Sequence, residues 1–187
     1  MDDETVFDAV AKLSHAYRFA VSIEYPLTST TTRTLPPSPR FTARVEDKTL
    51  REVLDWLFTL DSRYTWSRDL VMVNVLPRSK TGDQLYLLNR RLALVSFQDV
   101  PDAEKAVFAV LRLVPDKKEN PAVLQLGHKP TFGAPWTATF EEMTVREAFN
   151  RIAQQLGPSY GWQYTGTEEF QLITFHEKVQ PLRKPDR

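Results

Sequence analysis

Three histidines (His15, His128 and His176) and four carboxylate clusters are the side chains best suited to proton transfer or metal binding. The clusters are Asp2-Asp3-Glu4, Glu46-Asp47, Glu141-Glu142 and Glu168-Glu169. Such chemistry needs convergence: a general base must reach the proton it takes, and a zinc site needs several ligands aimed at one point. No histidine has a second histidine or an acid at i+4 spacing. The three fall on a helix, at the start of a loop and on a terminal strand. Each acidic cluster sits just before a helix or in a turn, where a carboxylate favours the positive helix end or solvates the chain. There is no cysteine, which excludes disulfides, a thiol nucleophile and thiolate metal sites. Gly157 and Gly161 lack the Lys-Ser/Thr that would complete a phosphate loop. The sequence therefore nominates no catalytic, cofactor-binding or metal-ligating residue, and a non-enzymatic protein is expected.

Binding chemistry is a separate question. Tyr64-Thr65-Trp66 and Tyr160-Gly161-Trp162 carry rings that could stack on a sugar, but their alternation puts both rings of each pair on one face of a strand, as core packing requires. Trp56 stands beside the apolar stripe of its helix and is expected to cover the boundary between the two halves of the chain. Arg51 and Arg146 occupy equivalent helix positions and read as exposed, solubilising residues. The 24 basic and 24 acidic residues balance, so no overall field draws nucleic acid or anionic lipid. The glycine clamp of single-stranded RNA binders is also missing. No stretch approaches the roughly 20 apolar residues of a membrane span. The acidic N-terminus lacks a hydrophobic signal core, so a periplasmic or secreted protein is expected only with its signal peptide removed.

The elements that would position these residues come in two series. Phe41 to Leu54 aligns with Trp136 to Phe149, and of the fourteen pairs six are identical. Downstream, Tyr64-Thr65-Trp66 answers Tyr160-Gly161-Trp162, and Leu70 to Val75 answers Phe170 to Phe175. Self-similarity of this kind reads as a repeated unit. Each half opens with a helix, with Val6, Val10, Leu13 and Tyr17 on one stripe and Ala106, Val107, Val110, Leu111 and Val114 on the other. The predicted N-caps are Thr5 and Asp102, and Pro115 ends the second helix. A strand follows, Ala20 to Tyr25 or Ala122 to Leu126. The first of these alternates as a half-buried strand, with Ser22 and Glu24 on its polar face. Loops at Thr28–Pro39 and Gly127–Pro135 lead to strands at Phe41–Val45 and Trp136–Phe140. Capping boxes Thr49/Glu52 and Thr144/Glu147 then start a second helix in each half. Hairpins close both halves, turning at Ser67-Arg68-Asp69 and Thr165-Gly166-Thr167. A further strand, Leu92–Phe97, precedes the second copy, and its counterpart in the first would lie before Met1.

The fold class is α+β: two tandem copies of a small mixed-sheet module with two helices each. The modules span 1–78 and 92–178. A linker at 79–91 joins them, and a charged, proline-containing tail runs from 179 to 187. Thr49-Leu50-Arg51-Glu52-Val53-Leu54, Tyr64-Thr65-Trp66 and Val71-Met72-Val73-Asn74-Val75, echoed by Thr144-Val145-Arg146-Glu147-Ala148-Phe149, resemble the short N-terminal domain of secretins and TonB-dependent receptors. The resemblance implies a protein–protein interaction or structural module of the bacterial cell envelope, with a protein partner there or a second copy of itself. A ligand-binding module, taking a glycan or peptide in a groove between the two copies, is the alternative.

Overall fold

The structure is a computed structural model that describes residues 3–26, 38–114, 130–166 and 171–177. Outside this set lie the expected strand Ala122–Leu126, most of the loop Thr28–Pro39, residues 127–129 of the loop Gly127–Pro135 with His128 among them, Asp2, Pro115, Thr167, Glu168, Glu169, Phe170 and the tail 179–187. The rest of that second loop is largely strand, since Thr131 to Pro135 belong to the long ribbon strand that runs on to Thr144.

The helices are α1 (Val6–Tyr17), α2 (Leu50–Leu60), α3 (Ala103–Arg112) and α4 (Val145–Leu156). Each begins where a short polar side chain takes over backbone donors that the first turn leaves unpaired. Thr49 and Thr144 form the anticipated capping boxes, and Thr5 with Asp8 forms a third. Asp102 caps α3 by accepting from the Lys105 N–H at 2.8 Å.

The strands are β1 (Glu4–Thr5), β2 (Ala20–Pro26), β3 (Arg40–Phe41), β4 (Tyr64–Asp69), β5 (Met72–Pro77), β6 (Arg91–Asp102), β7 (Thr131–Thr144), β8 (Gly161–Gly166) and β9 (Gln171–His176). Five of them make one sheet in the order β4-β5-β2-β8-β9. β2 lies at its centre and runs parallel to both β5 and β8. Strands from both halves of the chain therefore share a single hydrogen-bonded ladder. The remaining strands form two antiparallel ribbons, β1-β3 and β6-β7.

The helices of the two halves cover opposite faces of the sheet. Val21, Ile23 and Tyr25 of β2 pack with Val6, Phe7 and Val10 of α1 and Leu54 and Leu57 of α2. On the other face, Ala20 of β2 and Met72 of β5 join Trp162, Tyr164, Ile173 and Phe175 in a core with α3 and α4. Ribbon residues close this second core from outside through Leu92, Val95, Phe97 and Met143, and Phe97 stacks on Trp136 at 4.2 Å. The fold class is thus α+β, with mixed strand directions in the central sheet.

Several details differ from the sequence reading. β2 is not half-buried: Ser22 and Glu24 are as fully enclosed as their apolar neighbours, because the second half covers the face they occupy. The strand expected at Phe41–Val45 pairs only through Arg40–Phe41, although Phe41, Ala43 and Val45 remain more buried than Thr42, Arg44 and Glu46. Its ribbon partner is the two-residue β1, Glu4 opposite Phe41 as Val100 stands opposite Trp136. The first hairpin turns at Leu70-Val71, beyond Ser67-Arg68-Asp69, with Leu70 left-handed at φ 55°. Nothing in a Leu-Val pair signals a turn.

Segment 79–91 has the composition of a linker, and its first part is largely exposed, but Tyr86–Leu88 pack in the core. Single 3-10 turns at Arg78–Lys80 and Leu87–Asn89 fold it back, and Tyr86, Leu87 and Leu88 are buried among second-half residues. Trp56 does not reach the boundary between the halves; it meets Phe41 edge-on at 5.8 Å inside the first. Leu88→Ala is expected to destabilise the protein by about 2–5 kcal/mol in urea unfolding, as for a core leucine. A flexible linker would register almost no change.

Candidate functional site

The sequence nominated no site residue, and those of its candidates for chemistry that are described do not converge. His15 is exposed on α1. His176 is half-buried on β9, where burial holds its imidazole below the ordinary histidine range and Thr174 Oγ1 lies 2.9 Å from Nε2. Among the described residues no three histidines, aspartates or glutamates come together as a metal would need. The acidic clusters shape backbone instead. Asp47 and Glu142 each take a left-handed conformation two residues before a capping threonine, and Asp3 does the same before Thr5.

The described charges converge elsewhere, at the seam between the halves. Glu24 on β2 has no exposed surface. Arg146, in the first turn of α4, reaches it with Nε at 2.5 Å from Oε1 and Nη2 at 3.1 Å from Oε2. This is the bidentate fork that suits guanidinium to carboxylate. The remaining arm, Nη1, donates to Asn89 Oδ1 at 2.7 Å, and Asn89 Nδ2 donates in turn to the carbonyls of Lys80 and Asp83. One chain of bonds therefore ties the central strand, the second half's helix and the connecting segment together. Arg146 is correspondingly not the exposed, solubilising residue its sequence position suggested; its side chain is 13% exposed. Burial pushes the Glu24 carboxyl up from its ordinary value, and the Arg146 guanidinium pulls part of the way back. Burial also opposes the Arg146 charge, and Glu24 outweighs it. Tyr86 and Tyr164 feel the same enclosure, and both hydroxyls are pushed far above the usual phenol range, chiefly by burial and then by the Glu24 charge.

A second polar relay crosses the seam beside the first. The Trp162 indole N–H donates to Asn150 Oδ1 at 2.8 Å, and Asn150 Nδ2 donates to Asp69 Oδ2 on β4 at 2.8 Å. The first half repeats the inner part of this arrangement. Its Trp66 indole N–H donates to Asp55 Oδ1, also at 2.8 Å, from the aligned strand and helix positions. Asp55 has no amide with which to pass the bond on, and Arg51, the residue aligned with Arg146, lies exposed over the Trp66 ring at 5.9 Å. Trp162 and Asn150 are thus buried and Arg146 mostly so, whereas Trp66 is half-buried and Asp55 and Arg51 are exposed.

Sequence reasoning missed Glu24, Asn89, Asn150 and Asp69, and misjudged Arg146. Within either half alone, Glu24 and Arg146 are ordinary polar positions of an amphipathic strand and helix. Their role exists only once the halves meet. The one available signal was Asn150, an amide on the apolar side of α4 where the first half carries an acid.

The seam has little space. The cavity there, between Met72, Asn150, Gly157 and Tyr160, measures about 10 Å3, room for about one water and not for a sugar ring or peptide. Larger grooves flank Trp66, one of about 440 Å3 within the first half and one of about 450 Å3 that also takes in Pro158 of the second. Comparison with family models, curated proteins and solved structures finds no match to this chain.

Removing one partner of a buried pair leaves a charge without compensation, so Arg146→Met is expected to cost about 3–5 kcal/mol. Glu24 would then be pushed further up. A carboxyl raised in the folded state makes folding less favourable as pH rises above the unfolded value, because the unfolded chain releases its proton first. The variant should therefore gain stability, relative to the native protein, as pH falls from 7 toward the ordinary glutamate value of 4.5. The double variant Glu24→Leu/Arg146→Met should recover most of the loss and the pH dependence together. Urea unfolding followed across that pH range measures both effects.

Proposed function

We propose that this chain is a non-enzymatic interaction module of the bacterial cell envelope, periplasmic or secreted, built from two copies of one unit and similar in design to the N-terminal domains of secretins and TonB-dependent receptors. Its work is to pair side by side with a protein partner or with further copies of itself. The observation that carries this reading is the seam. One unit receives the other by parallel strand pairing, Ser22 with Trp162 through Pro26 with Gly166, and seals the contact with a bidentate ion pair. An edge strand with unsatisfied backbone groups is a natural docking point for another chain, and units that already assemble in this way within one chain can do so between chains. The buried charges at the seam are engaged in holding the units together, which suits assembly better than turnover.

A ligand-binding role with a glycan or peptide between the units finds less support, since the cavity beside Asn150 has room for about one water and the larger groove nearby is walled almost wholly by the first half.

In-cell cross-linking of the full-length protein in its native host, with envelope fractionation and mass spectrometry, tests the proposal. Recovery in the envelope, bound to an outer-membrane or secretion component or to itself, is the expected result. Recovery as an uncrosslinked cytoplasmic monomer would refute it.

A further inference from the structure

The surface by which the second half seats itself on β2 has a counterpart on the first half that no described strand fills. In the second half this surface consists of the β8 edge, Arg146 on α4 and the Trp162–Asn150 bond. By alignment the first half offers the β4 edge, Arg51 on α2 and the Trp66–Asp55 bond. Among the described residues β4 pairs with β5 alone, whereas β8 is paired on both sides. Two further observations show what this edge is suited to accept. Arg51, Trp66 and Arg68 together line both grooves beside it, with Arg78 in one of them. Asp55, the acid in that setting, already receives the Trp66 indole, and among the described residues Arg51 has no carboxylate partner. Moreover, β2 pairs Glu24 with Tyr164, and the β4 position aligned with Tyr164 is Arg68. A carboxylate placed as Glu24 is placed would arrive between Arg51 and Arg68.

We propose that the outer edge of β4 binds an extended segment of a partner protein as a parallel strand, through backbone pairing along Thr65–Arg68 and a carboxylate held by Arg51 and Arg68. The occupant resembles β2 in chemistry: alternating apolar residues with one acid on the arginine side. Backbone bonds would supply pairing without regard to side chains, and the two arginines would select for the acid and set the register. This inference deepens the proposed interaction role and rests on it.

A synthetic peptide with the sequence of Phe19 to Pro26 serves as the probe, titrated into the full chain. Fluorescence anisotropy reads affinity, and amide hydrogen exchange locates the contact. The expected result is slowed exchange at Thr65–Arg68. Arg51→Glu, at an exposed position that leaves the fold intact by circular dichroism, should weaken binding about tenfold or more through like-charge repulsion. A peptide with lysine in place of its glutamate should bind that variant better than the native chain. Absence of protection on β4, affinity indifferent to these charge changes, or protection changes confined to β2 and β8 would each overturn the proposal. So would β4 protection that rises with protein concentration without peptide, which would assign the edge to a second copy. If the peptide fails while in-cell cross-linking still captures an envelope partner, the edge assignment falls and the interaction role stands. If both fail, both fall.

Discussion

A carboxylate with no exposed surface, on the central strand of a sheet, is tolerable only if a cation is buried with it. In this protein the cation comes from the other half of the chain. Glu24 belongs to β2 and Arg146 to α4, and 122 residues separate them in sequence. Neither half can satisfy its own charge, so each is incomplete without the other. Much of the architecture follows from this dependence. β2 is central because the second half pairs with its free edge, and its polar face is buried because α4 lies across it. The connecting segment is held in the core because Asn89 takes the last guanidinium arm.

A buried ion pair is poor evidence of net stability, since the cost of dehydrating both charges can match or exceed their attraction. Its value here is geometric. Parallel pairing of β2 with β8 could slip along the strands, and a slip of one residue would turn side chains to the wrong face. A bidentate fork has few acceptable positions, and the Asp69–Asn150–Trp162 relay supplies a second fixed point. Ala20 and Met72 carry apolar surface of the first half into the second half's core, and the polar bonds define where the halves come to rest.

This division explains what the sequence revealed. Local features were legible because local chemistry sets them. Thr49/Glu52 and Thr144/Glu147 announced their helices, and the alternation at Val21, Ile23 and Tyr25 identified a strand. Helices form behind both capping threonines and a hairpin follows each, and the indoles of Trp66 and Trp162 each donate to a helix side chain. What could not be read was everything decided by the meeting of the halves. Ser22 and Glu24 looked solvated, Arg146 looked exposed, and residues 79–91 looked like a linker because composition reports what a segment can tolerate and not what will cover it. Leu70-Val71 escaped notice for a different reason: a left-handed leucine is imposed by the strands it joins and has no signature of its own.

The most direct test of the account is 15N relaxation of the backbone amides of the two hairpins, β4-β5 and β8-β9, in the intact chain. If the β2–β8 ladder and the Glu24–Arg146 pair lock the halves together, both hairpins should report one overall tumbling time, that of the whole protein. Two separate, shorter tumbling times, one for each half, would contradict it.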